Sequence, residues 1–404
     1  MEKRKKTWTK LRHKVITALA RPILGPYSRL RYGVSVEKFR DQGDRPYLIL
    51  YNHQTAFDQF FVGMAFRGPV YYMATEDIFS IGWISRLLRW AVAPIPIRKQ
   101  TTDITAVMNC IKVAREGGSI CIAPEGNRTY SGRTEYMSDS IASLARKLKL
   151  PIALFRIEGG YGVQPRWSDC IRKGKMRGYV SRVIEPEEYA DLKPQELFAL
   201  IEKGLYVDEA AADGSFRHKN RAEYLERAIY VCPFCGLSEW ESHGHSASCK
   251  SCGRTVLYGE DKRIQGEGFD FPFEFMGQWY DYQKHYINSL DPTVLTETPL
   301  FRDTAKISEV IVYQKKNLLR ENAEISLYGD RLVLDQGSEK ELVLPFAEIH
   351  AAACLGKNKL NIYHGKMIYQ FKGSKRFNAI KYVNLFFRYK NITRGDEHDQ
   401  FLGL

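Results

Sequence analysis

Tyr47-Leu48-Ile49-Leu50-Tyr51-Asn52-His53-Gln54-Thr55-Ala56-Phe57-Asp58 decides how the first half of this chain is read. Five apolar or aromatic residues end abruptly in a polar turn. Such a short continuous run, bounded by a turn, fits a strand buried on both faces. Further runs occur at residues 70–74, 119–123 and 152–157. Helical stretches at 103–115, stopped by Gly117-Gly118, and at 138–149, ahead of Pro151, lie between them. Strands alternating with helices predict an α/β sheet flanked by helices. In open sheets of this kind ligands bind beyond the carboxyl ends of the strands. Asn52-His53 follows the first run and Pro124-Glu125-Gly126 the third.

His53 and Asp58 are five residues apart, which on a regular helix puts two side chains on different faces. They meet if His53 sits in the strand-to-helix turn and Asp58 in the first helical turn. Asp58 then accepts a hydrogen bond from the imidazole, fixing its tautomer and strengthening it as a base. Neutral His53 would take the proton of an acceptor hydroxyl as that oxygen attacks a thioester. This is the His–Asp half of a triad, with a substrate hydroxyl in place of the serine. A buried hydrogen-bonded histidine is the plainer alternative.

Two further motifs follow: Pro94-Ile95-Pro96-Ile97-Arg98 and Ala123-Pro124-Glu125-Gly126-Asn127-Arg128-Thr129. Arg98 and Arg128 on loops at one sheet edge would clamp a phosphate, because guanidinium forks match phosphate oxygens. Gly126 permits close backbone approach. Glu125 would orient Arg128 or hydrogen-bond a glycerol. A fourth element is Leu150-Pro151-Ile152-Ala153-Leu154.

Taken in order, Asn-His-x4-Asp, Pro-x-Pro-x-Arg, Pro-Glu-Gly-x-Arg and Leu-Pro-Ile-x-Leu resemble the glycerophospholipid acyltransferases of the 1-acylglycerol-3-phosphate acyltransferase type. The resemblance covers roughly residues 30–200. It implies His53 as base, Asp58 as its partner, and Arg98, Glu125, Gly126 and Arg128 in acceptor binding. It further implies an acyl thioester donor, acyl-CoA or acyl-ACP, and a lysophospholipid acceptor, with lysophosphatidic acid giving phosphatidic acid. Thr55 stands where Ser is common. Asn127 stands where Thr is usual, which leaves the acceptor headgroup open, so another lyso-lipid is the alternative acceptor.

Net charge is +13, and residues 1–14 hold seven basic side chains opposed only by Glu2. A concentrated basic arm suits nucleic acid or an anionic membrane surface. With Trp8, Leu11, Val15, Ile16 and Leu19 approximating one face, residues 1–31 read as a basic amphipathic membrane-surface segment, broken near Arg21-Pro22. The segment 79–97 holds Trp83, Leu87, Leu88, Trp90 and Val92, suited to dipping into a bilayer, lining an acyl tunnel or packing a core. No stretch reads as a bilayer span. The expectation is a peripheral enzyme on the cytoplasmic face of a membrane.

In Cys232-Pro233-Phe234-Cys235-Gly236 and Cys249-Lys250-Ser251-Cys252-Gly253 the two Cys-x-x-Cys pairs are separated by thirteen residues. Two such knuckles make a tetrahedral four-thiolate site suited to structural zinc, a zinc ribbon. His243 and His245 read as loop residues between the pairs. A zinc ribbon in a basic chain also fits a nucleic-acid- or protein-binding module. The four ordered motifs favour the enzyme, and no nucleic-acid partner is expected. The predicted divisions are 1–31, the acyltransferase domain 32–228, the ribbon 229–265, an aromatic linker or helix 266–304, and a mostly-β domain 305–404. This last resembles pleckstrin-homology-like barrels in its order of elements. Alternating Ile325, Leu327, Leu332, Leu334, Leu342 and Leu344, a hairpin through His364-Gly365-Lys366 and a closing amphipathic helix define it.

Overall fold

The computed structural model describes residues 7–75, 78–79, 82–97, 103–311, 316–395 and 401–403. The chain divides into two compact units. Unit 1 comprises residues 1–129, 133–164 and 173–214, and unit 2 residues 130–132, 165–172 and 215–404.

The strands of unit 1 are β1 (Val34–Val36), β2 (Leu48–Tyr51), β3 (Val70–Thr75), β4 (Ile95–Ile97), β5 (Ser119–Ile122), β6 (Ile152–Glu158) and β7 (Met176–Ile184). Its helices are α1 (Leu11–Tyr32), α2 (Asp58–Ala65), α3 (Trp83–Ala91), α4 (Ile104–Arg115), α5 (Ser140–Leu148), α6 (Gly160–Val163), α7 (Pro186–Tyr189) and α8 (Pro194–Leu205). The sheet order is β1-β7-β6-β2-β5-β3-β4. All four residues of β2 are buried, because β2 is the middle strand, paired in parallel with β5 and β6. The pair β6–β7 is antiparallel.

Alternation along the strands separates the two faces. Leu48, Leu50, Ile120, Ile152 and Leu154 pack with Val113 of α4, Ile141 and Leu148 of α5, and Leu197 and Ile201 of α8. On the other face Phe66, just after α2, packs its ring near Tyr47 and Phe155. The pair Pro94/Pro96 is tolerated because β4 is an edge strand held by β3 alone.

The expected break at Arg21-Pro22 does not occur. α1 runs unbroken with Pro22 and Pro26 inside it. Each proline removes a helical donor and crowds the preceding turn. Tertiary bonds outweigh this cost. Arg21 donates to the carbonyls of Gly63 (3.0 Å), Gly68 (2.9 Å) and Phe66, and Tyr32 stacks on Phe57 with centroids 5.1 Å apart. The outer side of α1 stays apolar and exposed along Leu11, Val15, Leu19, Ile23 and Leu30, the last 88% exposed. Trp83, Leu87 and Trp90 of α3 are exposed as well, so core packing does not account for these three, whereas Phe79 and Ile95 of the same segment are buried. Arg12 joins the two helices, donating to Trp90 O at 2.9 Å with its guanidinium over the indole. No helix among the described residues is long and apolar enough to cross a membrane.

Unit 2 begins with β8 (Val231–Cys232), β9 (Gly236–Leu237), β10 (Trp240–His243), β11 (Ser246–Cys249), β12 (Thr255–Tyr258) and β13 (Ile264–Gly266). β8 and β9 form a small hairpin, and the other four form an antiparallel sheet. α9 (Met276–Ser289) occupies the aromatic stretch. It props the segment leading into the β8–β9 hairpin: buried Trp279 donates to Val231 O (2.9 Å), and Gln283 bonds Tyr230 N (2.8 Å) and Ala228 O (3.0 Å).

Then come β14 (Phe301–Glu309), β15 (Asn317–Leu327), β16 (Arg331–Leu334), β17 (Leu342–Pro345), β18 (Ile349–Leu355), β19 (Lys359–His364), β20 (Met367–Gly373) and α10 (Ile380–Thr393). These strands order as β17-β16-β15-β14-β20-β19-β18. Ile325 faces Leu334, Leu327 faces Leu332, and Leu332 and Leu334 face Leu344 and Leu342. The six alternating residues therefore line one face as cross-strand neighbours. His364 pairs with Met367 around a two-residue turn.

Candidate functional site

The site grows from the end of β2. Asn52 is fully buried, and its side chain bonds both the N–H and the carbonyl of Ile157, each at 2.8 Å. A side chain thereby extends the ladder between β2 and β6 by one step and fixes where the chain turns. His53 follows, then Gln54-Thr55-Ala56-Phe57, then Asp58 as the first residue of α2.

Asp58 is wholly buried and His53 is 21% exposed through its side chain. His53 Nδ1 lies 2.8 Å from Asp58 Oδ2. The same carboxylate accepts the N–H of Gln54 (2.6 Å), the N–H of Thr55 (2.9 and 3.0 Å) and the Thr55 hydroxyl (2.6 Å). Four groups from three residues, His53, Gln54 and Thr55, thus saturate one carboxylate, so its orientation toward the imidazole is set by the turn itself. Thr55, a departure from the Ser of the resemblance, supplies the same hydroxyl. With Nδ1 engaged by Asp58, basicity is directed to Nε2.

A second loop, after β5, closes on the first. Glu125 binds backbone groups of two other segments. Its Oε1 accepts the N–H of His53 at 2.9 Å and its Oε2 the N–H of Glu135 at 3.2 Å. Burial pushes its carboxyl up to about 8, against those two bonds, which pull the other way. The N–H of Thr129 reaches His53 O at 3.4 Å. Gly126 takes φ +66°, a left-handed turn that returns the loop toward Arg128. Arg128 and Asp58 both act on the hydroxyl of Tyr32. Burial first, and Asp58 among the lesser causes, raise its pKa, and Arg128 lowers it. Hydrogen bonds therefore join His53 to Asp58 and to Glu125, and Gly126 and Arg128 follow Glu125 on the same loop. Arg98 lies outside the described residues.

A third segment was not legible as functional. Gln164, just after α6, accepts the N–H of Ala56 at 3.1 Å. Gly160 packs so closely under the turn that a Cβ there would meet Gln54 Cβ at 2.5 Å. Nothing in its sequence marks Gln164, since its role depends on a partner 108 residues away.

In unit 2 the four thiols of Cys232, Cys235, Cys249 and Cys252 lie within 4.8 Å of one another. Cys232 and Cys252 are 3.8 Å apart, Cys235 and Cys249 3.6 Å. A tetrahedron with sulfur about 2.3 Å from its centre has edges of about 3.8 Å, so the cluster fits a metal ion. His243 and His245 stand outside the cluster. A cleft of about 560 Å³ also opens in unit 2. Its wall holds the pairs Arg376–Glu226 and Lys381–Asp303, and no histidine is among its lining residues.

Residues 33–157 match the family model described as Acyltransferase. The chain is an acyltransferase, and an enzyme of this class takes an acyl donor and a lipid acceptor. Its resemblance is to the 1-acylglycerol-3-phosphate O-acyltransferases. The 1-acyl-sn-glycerol-3-phosphate acyltransferase of Bacillus subtilis (strain 168) is 23% identical over 178 residues, 44% of this chain and 86% of that protein. The chloroplastic 1-acyl-sn-glycerol-3-phosphate acyltransferase BAT2 of Brassica napus is 22% identical, across 35% of this chain and 41% of its own length. Among solved structures, the 1-acyl-sn-glycerophosphate (LPA) acyltransferase PlsC from Thermotoga maritima aligns with a TM-score of 0.38 at 18% identity, covering 48% of this chain and 78% of that one.

Proposed function

We propose that this enzyme transfers a fatty acyl group from an acyl thioester, acyl-CoA or acyl-ACP, to the hydroxyl of lysophosphatidic acid, giving phosphatidic acid. The observation that carries the reading is the 2.8 Å contact between His53 Nδ1 and the buried Asp58 carboxylate. His53 Nε2 takes the acceptor proton as the hydroxyl oxygen attacks the thioester carbonyl. The tetrahedral intermediate then expels the thiolate, and the imidazolium returns the proton to that sulfur. Asp58 stabilises the imidazolium without itself taking the proton. Arg128, with Arg98, binds the acceptor phosphate. Glu125 holds the His53 backbone.

Zinc is the metal this reading assigns to Cys232, Cys235, Cys249 and Cys252, as a closed structural site. The Ser238 hydroxyl, 3.0 Å from Cys249 Sγ, supports the thiolate. The β14–β20 meander closed by α10 is read as a pleckstrin-homology-like fold. The enzyme docks from one side of the membrane, on its cytoplasmic face. Supporting this, the apolar outer stripes of α1 and α3 adjoin through Arg12, and a basic arm precedes them.

Turnover of lysophosphatidic acid with each donor class, compared between the parent protein and His53→Ala, tests the reading. Loss of about a hundredfold to ten-thousandfold is expected. Near-parental turnover by a folded His53→Ala protein refutes it.

A further inference from the structure

When a hydroxyl oxygen attacks a thioester, the carbonyl oxygen takes up negative charge and needs a hydrogen-bond donor. His53 supplies a base, not that donor. Backbone N–H groups beside the reacting centre commonly serve, but those of this turn are spent. The N–H of His53 goes to Glu125 (2.9 Å), those of Gln54 and Thr55 to Asp58 (2.6 and 2.9 Å), that of Ala56 to Gln164 (3.1 Å) and that of Phe57 to Thr55 Oγ1 (3.1 Å). On the loop after β5, Gly126 donates to Ala123 O (3.0 Å) and Thr129 to His53 O (3.4 Å). The backbone from His53 to Phe57 therefore offers an oxyanion nothing.

Tyr51, the last residue of β2, carries a side-chain donor. Its ring stands edge-on to the His53 imidazole, with centres 5.5 Å apart and planes at 69°. The residue is buried, 7% exposed. Other buried tyrosines of unit 1 have partners for their hydroxyls. Tyr47 donates to Gln42 O at 3.1 Å, Tyr189 donates to Leu150 O at 2.8 Å, and Tyr71 lies 3.1 Å from His13 Nδ1. The Tyr51 hydroxyl has no such partner among the described residues. Unlike the Gln54 amide, which is sealed and unpaired, it is not closed off from the surface. Phe in its place would fill the same space without leaving a donor unpaired. Burial first, with Cys121 and Asp58 next, raises the Tyr51 pKa well above the ordinary 10, so the proton stays on oxygen wherever neutral His53 acts as base. Tyr32, the other phenol that feels Asp58, packs its ring on Phe57 and Phe61 instead.

We propose that Tyr51 is a catalytic residue whose hydroxyl donates a hydrogen bond to the carbonyl oxygen of the acyl thioester as that oxygen becomes negative. This rests on the acyl-transfer reading of His53. The acceptor hydroxyl gives its proton to His53 Nε2 while its oxygen bonds the carbonyl carbon, and the π pair moves onto the carbonyl oxygen. The Tyr51 proton stays on the phenol throughout. When the C=O bond re-forms the C–S bond breaks, and the imidazolium proton goes to the departing thiolate. A donor of this kind binds the oxyanion more strongly than the ground-state carbonyl, so it speeds the chemical step rather than tightening the substrate complex.

The test compares the full chain with Tyr51→Phe, which keeps the ring against His53 and loses one O–H. Kinetics are varied separately in donor and acceptor, and the melting temperature is measured on both proteins. Tyr51→Phe should lower kcat by about a hundredfold to a thousandfold, with both KM values within about threefold of the parent. The apparent pKa of the base in the pH–rate profile should stay in place, because His53 and Asp58 are untouched. The melting temperature should not fall, because no bond within the protein is lost. A kcat within about tenfold of the parent, or a loss carried by KM instead, overturns the donor role. His53→Ala is assayed alongside. Turnover surviving there refutes the acyl-transfer reading and the donor role with it. Turnover lost there but kept in Tyr51→Phe refutes the donor role alone.

Discussion

The His53–Asp58 turn of unit 1 and the four-cysteine cluster of unit 2 both gather polar atoms into a small volume, and they do so by opposite means. The thiols come from two short knuckles within 21 residues. Each knuckle is local, the four thiols lie within 4.8 Å of one another, and a metal ion would close the site. At the turn, Asp58 is satisfied by its own neighbours, but His53 is braced from far away. Glu125 takes its N–H, Thr129 its carbonyl, and Gln164 the N–H of Ala56. The imidazole keeps a partly open side. A site that only holds structure saturates every ligand position. One that does chemistry leaves a reactive atom facing outward and spends its hydrogen bonds on the backbone behind it.

Asp58→Asn is expected to produce the largest effect in unit 1. The amide can donate to Nδ1 and favour the wrong tautomer, so kcat should fall by about a hundredfold or more while the chain stays folded. A pH–rate profile shifted without loss of kcat would mean the carboxylate is not orienting the base. The corresponding break in unit 2 is metal removal. The purified protein should carry about one zinc per chain, and a strong chelator or Cys249→Ser should unfold unit 2 at temperatures where unit 1 persists. Protein free of stoichiometric metal yet equally stable would erase the contrast between the two clusters.

A third experiment concerns the apolar stripe. Burying a leucine-sized side chain is worth about 1.5–3 kcal/mol. Leu19→Asp with Ile23→Asp should therefore weaken binding to anionic vesicles by at least about tenfold. Turnover of a soluble short-chain acceptor should change little. Undiminished sedimentation with vesicles would move the docking surface elsewhere. Deletion of residues 1–14 is a poorer test, because His13 is buried against Tyr71 and the Trp8 indole donates to Ala93 O.

The smallest effect belongs to Glu125. Its folded pKa, about 8, lies above its ordinary 4.5. The folded chain therefore holds a proton that the unfolded chain releases between those values. This lowers stability progressively as pH rises from about 4.5 to 8, and leaves it unaffected below that window. Glu125→Gln, which stays neutral, should flatten that slope and raise the melting temperature by a few degrees at pH 8. An unchanged slope would show the carboxylate is already ionised in the folded chain. If acyl transfer also survives, Glu125 is a backbone brace rather than a ligand for substrate.

The amino-acid sequence by itself determined the strand ending at Tyr51, the meeting of His53 with Asp58, the cysteine knuckles and the alternating leucines of β15 to β17. All of these are local or periodic, so pattern reveals them. It misjudged α1, where Pro22 argues for a break yet the helix runs on, with Arg21 bonded to three carbonyls 42 to 47 residues away. It offered Arg128 or a glycerol as partners for Glu125 and gave no sign of the N–H groups of His53 and Glu135 that the buried carboxylate accepts. Gln164 carried no signal at all. Its contact with Ala56 joins chain segments 108 residues apart, and a hydrogen bond between such segments exists only once the tertiary fold has formed.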